Sequence, residues 1–202
     1  MTQDDPQTLV STAWLADHMG SPDLRILDGS YHLPAAERDP AAEFAAAHIP
    51  GAQFFDIDEI ADTASDLPHM LPSAEKFMSR VRAMGIGDGH QVVVYDTVGL
   101  FSAARVWWMF RVFGHHDVAV LDGGLPKWIA EGRPVDDFVA SPRDRHFSAR
   151  KDLSLVRDVT QVAAAVKLGS EQIVDARAPE RFRGEAPEPR PGLRAGHIPG
   201  SR

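Results

Sequence analysis

A short run of motifs occurs twice in this chain, and the spacing of the two occurrences constrains the fold more than any other feature. In the first, Ile26-Leu27-Asp28 precedes Glu43-Phe44 and then His48-Ile49-Pro50-Gly51-Ala52. In the second, Ile173-Val174-Asp175 precedes Glu180-Arg181-Phe182 and then His197-Ile198-Pro199-Gly200-Ser201. His197 follows His48 by 149 positions (197 − 48), and Asp175 follows Asp28 by 147 (175 − 28). Repeat arrays recur at roughly 20–50 residues, so a period this long marks a duplicated domain. After its motif the first copy runs on to about Pro142, whereas the second stops at Arg202. The expected organisation is a whole domain over residues 1–135, a linker over 136–158 and the incomplete start of a second domain over 159–202.

Within the first copy, strand-like and helix-like segments alternate. Leu24–Asp28 reads as a strand ending in a carboxylate, Ala41–Ala47 as an Ala-rich helix, and Ala52–Phe55 as a second strand. Ser73 opens a helix that runs through Met84. Gln91–Asp96 is a continuous β-branched run, the pattern of a strand buried on both faces. Gly99–Phe113 predicts a long apolar helix, Asp117–Asp122 a buried strand, and Pro126–Glu131 one more helix. In the second copy, Val159–Leu168 predicts a helix and Ile173–Asp175 a strand. This alternation implies an α/β fold of three layers, with a parallel sheet of about five strands between helices.

The chain is 44% hydrophobic and 25% charged, with a formal net charge of −8. An acidic balance argues against nucleic acid as a partner, because phosphates are bound chiefly by Lys and Arg. No apolar run approaches a membrane span, and Met1-Thr2-Gln3-Asp4-Asp5 is neither a secretory signal nor a presequence. A cytoplasmic location is the resulting expectation. There are no cysteines. Disulfides, thiolate zinc sites and a cysteine nucleophile are therefore excluded within these residues.

Ligands of an open parallel sheet sit outside the carboxyl ends of its strands. The loop Asp96-Thr97-Val98-Gly99-Leu100-Phe101-Ser102 joins the best strand to the longest helix. Such a loop aims backbone N–H groups at a common centre and suits an anion or a thiolate. Here it begins with a carboxylate, which repels an anion, so a helix-capping and loop-fixing acid is the reading the residues favour.

Four segments carry a family resemblance. They are His48-Ile49-Pro50-Gly51-Ala52-Gln53-Phe54-Phe55-Asp56-Ile57-Asp58, Leu67-Pro68-His69-Met70-Leu71-Pro72, the run from Arg105 to His115, and Leu121-Asp122-Gly123-Gly124-Leu125-Pro126-Lys127-Trp128. With these, residues 1–135 resemble the non-catalytic N-terminal domain of the two-domain rhodanese-like sulfurtransferases. Residues 159–202 resemble the start of the catalytic domain.

The resemblance implies a reaction in which a cysteine takes sulfur as a persulfide and passes it to a thiol or cyanide. No metal or organic cofactor is implied. Asp96 stands at the place of that cysteine in the first copy, and the second copy's cysteine would lie beyond Arg202, which leaves these residues inactive on their own. The segment from Arg181 to Arg190 is similar to the 3-mercaptopyruvate branch, where arginines at the places of Arg181 and Arg190 hold the donor's carboxylate and carbonyl. Guanidinium groups suit such a 2-oxo acid because they bind carboxylates in bidentate fashion. The thiosulfate branch usually has an acid at the place of Arg190 and an Arg at that of Pro199.

From residue types alone, Arg181, Arg183 and Arg190 read as solvated loop charges, and it is the motif match that favours a site. His48 and His197 read as turn histidines bonded to backbone, with His48 also a candidate for proton transfer at an interdomain cleft. The expected partners are a small-molecule sulfur donor, a thiol or cyanide acceptor, and a missing C-terminal part of the same protein. Two other functions stay open: thiosulfate:cyanide sulfur transfer, and an inert rhodanese-like module that binds or regulates a partner.

Overall fold

The structure is a computed structural model describing residues 4–190 and 192–202. The chain divides into a first unit, comprising residues up to His32 and Arg38–Asp152, and a second, comprising Leu33–Glu37 and Leu153–Arg202.

The first unit is built from β1 (Leu9–Val10), α1 (Thr12–His18), β2 (Leu24–Asp28), α2 (Pro40–Ala46), β3 (Gln53–Phe54), α3 (Ala74–Ala83), β4 (Gln91–Tyr95), α4 (Ala103–Val112), β5 (Val118–Leu121) and α5 (Gly124–Ala130). Its five strands form one parallel sheet in the order β1-β5-β4-β2-β3. From β2 the chain moves outward to β3, and from β4 it moves outward the other way to β5. The strand order therefore reverses between β2 and β4, whose register runs from Leu24↔Gln91 to Asp28↔Tyr95. Such a reversal opens a crevice at the carboxyl ends of the two strands.

Side chains alternate across the pleat, and the β-branched run of β4 feeds two cores at once. Val92 and Val94 pack with Leu27, Val118 and Val120 against Phe77 and Val81 of α3 and Val106, Met109 and Phe110 of α4. Val93 and Tyr95 pack on the other face with Leu15 of α1, Phe44 of α2, and Leu125 and Trp128 of α5. This is the three-layer α/β arrangement expected from the sequence.

One helix starts later than its apolar pattern predicts. The helix expected from Gly99 begins at Ala103, because the N–H groups before it are taken by a side chain, as described below. Residues 136–152, expected as part of a linker, lie along the first unit. Phe147 is fully buried among Phe77, Phe110 and His115. Its carbonyl accepts from Arg82 Nε and Nη2 at 3.1 and 2.9 Å.

In the second unit, α6 (Val159–Leu168) is opened by a reciprocal capping box between Asp158 and Gln161 and closed by Gly169 at φ +62°. It is followed by α7 (Pro179–Arg183). The expected strand at Ile173–Asp175 is only a short backbone pairing. Asp175 N–H donates to the Arg202 carbonyl at 2.8 Å, and Arg202 N–H donates to that of Ile173 at 3.0 Å. Two bonds are too short a ladder for a strand. Among the described residues, no helix is long and apolar enough to cross a membrane.

Candidate functional site

The crevice between β2 and β4 is closed by two interlocked loops. Gly29 N–H donates to the Tyr95 carbonyl at 2.8 Å, Thr97 N–H to Ser30 Oγ at 3.0 Å, and Tyr31 N–H to Ser102 Oγ at 3.0 Å. At their centre is Asp96, 1% exposed. Its Oδ1 accepts from the N–H groups of Val98, Gly99 and Leu100 at 3.0, 2.7 and 3.2 Å. Its Oδ2 accepts from Phe101 and Ala103 at 2.6 and 2.9 Å. Five backbone donors therefore surround one carboxylate, a concavity made for negative charge. Leu100 is drawn to φ +132°, a strained conformation for a side-chain-bearing residue. Gly124 is required on the neighbouring turn, since at φ +55° a Cβ there would collide with the Asp96 carbonyl.

The carboxylates ending these adjacent strand segments differ in basicity. Burial pushes Asp28 above the ordinary carboxylate value; its bonds from Ser30 and Tyr95 oppose this, and the charge of Asp96 adds to it. Burial would raise Asp96 too, but the N–H groups of Ala103, Phe101, Gly99 and Val98 outweigh it and hold Asp96 low. Asp96 is thus a stable anion within its own loop. Burial pushes the Tyr95 hydroxyl up, with Asp28 contributing, so it stays protonated.

Beside this loop is a cavity of about 170 Å³ lined by Tyr31, Ile57, His69, Phe101, Ser102 and Arg105. His69, at φ +56°, places Nδ1 3.0 Å from Asp58 Oδ1, close enough to pair when protonated though off the line of a good hydrogen bond. The Arg105 guanidinium donates to the His69 carbonyl and lies over the Trp108 ring. Tyr31, Asp58, His69 and Arg105 are candidates that the motif reading did not single out. The signal was available: Asp58, His69 and Arg105 all lie inside the segments that carry the resemblance.

The two repeated histidines have matching surroundings. His48 stacks on Phe44 at 4.2 Å with Nδ1 2.7 Å from the Phe44 carbonyl; His197 stacks on Phe182 at 3.9 Å with Nδ1 2.8 Å from the Phe182 carbonyl. His48 is fully buried, and its Nε2 faces the Phe138 carbonyl at 3.3 Å. The His48 ring thus lies between the Phe44 and Phe138 carbonyls.

Arg181 Nη2 donates to Glu188 Oε2 at 2.5 Å, and exposed Arg183 pairs with Glu185 at 2.8 Å. Arg190 lies two residues beyond Glu188. An open hollow of about 840 Å³ in this unit is lined by Asp175, Arg177, Arg183, Arg194 and His197, among others, but by neither Arg181 nor Arg190. Among the described residues no group of three or more His, Cys, Asp or Glu could hold a metal ion.

The profile of the rhodanese-like domain matches residues 11–131, which hold β2 to β5, the crevice and the loop of Asp96. The chain belongs to the rhodanese-like family. It is 43% identical over 201 residues to human 3-mercaptopyruvate sulfurtransferase, covering 96% of this chain and 68% of that protein. It is 44% identical over 217 residues to the mitochondrial thiosulfate/3-mercaptopyruvate sulfurtransferase 1 of Arabidopsis thaliana, spanning 97% of this chain but 57% of the plant protein's length. Among solved structures it is similar to SseA from Escherichia coli, described as a 3-mercaptopyruvate sulfotransferase with the rhodanese fold. The TM-score is 0.87 and the identity 39%, covering 96% of this chain and 72% of that one.

Proposed function

We propose that this chain is the donor-binding part of a sulfurtransferase that takes sulfur from 3-mercaptopyruvate, and that the sulfur-carrying thiol is a cysteine outside these 202 residues. In such an enzyme a thiolate attacks the sulfur of the donor. The carbon–sulfur bond breaks, its electron pair leaves on pyruvate enolate, and a proton completes pyruvate. The enzyme keeps a persulfide. An acceptor thiolate or cyanide then attacks the outer sulfur, the sulfur–sulfur bond breaks, and the enzyme thiolate is regenerated.

The supporting observation comes from comparing the copies. Phe44 with His48 matches Phe182 with His197 in both stacking and hydrogen bonding. The residues before the two phenylalanines, Glu43 and Arg181, therefore hold equivalent places. In the first copy that place borders the loop of Asp96: Glu43 Oε2 lies 3.5 Å from Thr97 Oγ1. A guanidinium at this place in a second such site would face whatever occupies the loop. With Arg190 it would hold the donor's carboxylate and carbonyl. The first copy cannot perform the transfer, because Asp96 fills its loop and has no sulfur chemistry.

Titrating the 202-residue protein with pyruvate, the desulfurated donor, tests this reading. Pyruvate is expected to bind in the second unit, and Arg181→Ala to weaken binding by about tenfold or more, the loss of one charge-assisted contact. Unchanged affinity would remove Arg181 from the site. Tighter binding of thiosulfate than of pyruvate would instead favour thiosulfate as donor.

A further inference from the structure

We propose that Glu188 is a positioning residue that fixes Arg181 for the donor, an inference that rests on the reading of Arg181 just given. The Glu188 side chain is 5% exposed and bridges two guanidinium groups, Arg181 Nη2 at 2.5 Å and Arg177 Nη1 at 2.9 Å. Arg177 is itself held firmly. Its Nε donates to Asp175 Oδ1 and Oδ2 at 2.9 and 3.1 Å, and its Nη2 donates to Asp175 Oδ2 at 2.7 Å and the Gly196 carbonyl at 2.6 Å. The bond from Arg177 holds the Asp175 pKa at about 2, so this anchor stays ionised throughout the neutral range. A continuous ladder thus runs from Asp175 through Arg177 and Glu188 to Arg181.

An arginine side chain loses rotamer freedom when it grips a ligand, and a preformed partner removes that freedom beforehand. Arg181 remains 29% exposed. It is pinned on one side by Glu188 and open on another.

The first copy contains the same device with its charges reversed. Glu43, at the place of Arg181, is gripped by Arg38 at 2.6 Å and faces His32 at 2.9 Å. Ser30 occupies the place of Arg177: its N–H donates to Asp28 Oδ1 at 2.8 Å, as that of Arg177 does to Asp175 Oδ1 at 3.0 Å. Both Ser30 and Glu43 reach Thr97, the residue that follows Asp96. The places of Arg177 and Arg181 are therefore the two that border the anion loop in a complete copy. Glu188 locks them together.

The test is pyruvate titration of the whole 202-residue protein, observed through its arginine side-chain NMR signals. In the free protein, the Nη protons of Arg181 should be resolved by hindered rotation. Glu188→Gln should collapse them, leave the Arg177 signals in place, and weaken pyruvate binding on the order of tenfold. A merely structural ion pair would leave pyruvate affinity unchanged, and a Glu188 that competes with the ligand for Arg181 would give tighter binding in the variant. Either result overturns the proposal. If Arg181→Ala weakens binding and Glu188→Gln does not, positioning alone fails. If Arg181→Ala has no effect, or the wild-type protein does not bind pyruvate, the donor-site reading fails and the proposal falls with it. Should Glu188→Gln unfold the second unit, Glu188→Asp keeps the charge on a shorter arm. It should weaken binding and shift the Arg181 signals, and unaltered binding would be contradictory.

Discussion

Replacing Asp96 by Ala should destabilise the first unit by about 3–5 kcal/mol, the range for removing one partner of a buried charged network. The expectation follows from the five N–H groups of Val98, Gly99, Leu100, Phe101 and Ala103, which converge on this one buried carboxylate. Alanine leaves them facing each other around an emptied centre, and Leu100 loses the bond that holds it at φ +132°. Urea unfolding followed by tryptophan fluorescence reads this directly, because Trp14, Trp107, Trp108 and Trp128 all lie in the first unit. The pH dependence has a definite sign. The folded-state pKa of Asp96 lies below its ordinary 3.8, so its stabilisation is fully present above that value and is lost as pH falls through the lower, folded one. The gap between wild type and variant should therefore narrow in acid. A gap of less than about 1 kcal/mol at neutral pH would show that the loop does not depend on its carboxylate.

Phe147→Ala should cost about 3–5 kcal/mol, the usual range for emptying a buried phenylalanine site. Phe147 has no exposed surface, and its ring lies 6.1, 6.2 and 5.5 Å from those of Phe77, Phe110 and His115. The segment around it is also tied by backbone bonds. Asp88 N–H donates to the His146 carbonyl at 3.1 Å, Arg150 N–H to that of Phe113 at 3.0 Å, and Asp152 N–H to that of Val112 at 2.7 Å. Losing the aromatic anchor should speed hydrogen exchange at Arg150 and Asp152 more than at the β4 residues. Equal exchange rates in variant and wild type would mean that the backbone bonds alone hold the segment.

The parallel sheet was legible because it rests on a strong local signal, β-branched runs such as Val92-Val93-Val94. The late start of α4 was not legible. Its apolar pattern extends back to Gly99, and only the folded loop reveals that Asp96 captures the N–H groups which would otherwise continue the helix. Residues 136–152 looked like a connection because Pro and charge dominate them. Phe147 is a single apolar residue, and periodicity cannot register one anchor. The Phe–His stacking seen at both motifs is also a product of folding, since four positions separate Phe44 from His48 but fifteen separate Phe182 from His197. The motif singles out Arg181 as a candidate. It does not single out Glu188, since a lone acid in a proline-rich loop carries no pattern.

Incubating the 202-residue protein with 3-mercaptopyruvate labelled in its sulfur, then isolating the chain, asks whether these residues bind the donor without themselves carrying sulfur. The chain should come away without label, because it holds no cysteine and the loop of backbone N–H groups in the first unit is filled by the Asp96 carboxylate. Label covalently retained on the chain would contradict that division of roles.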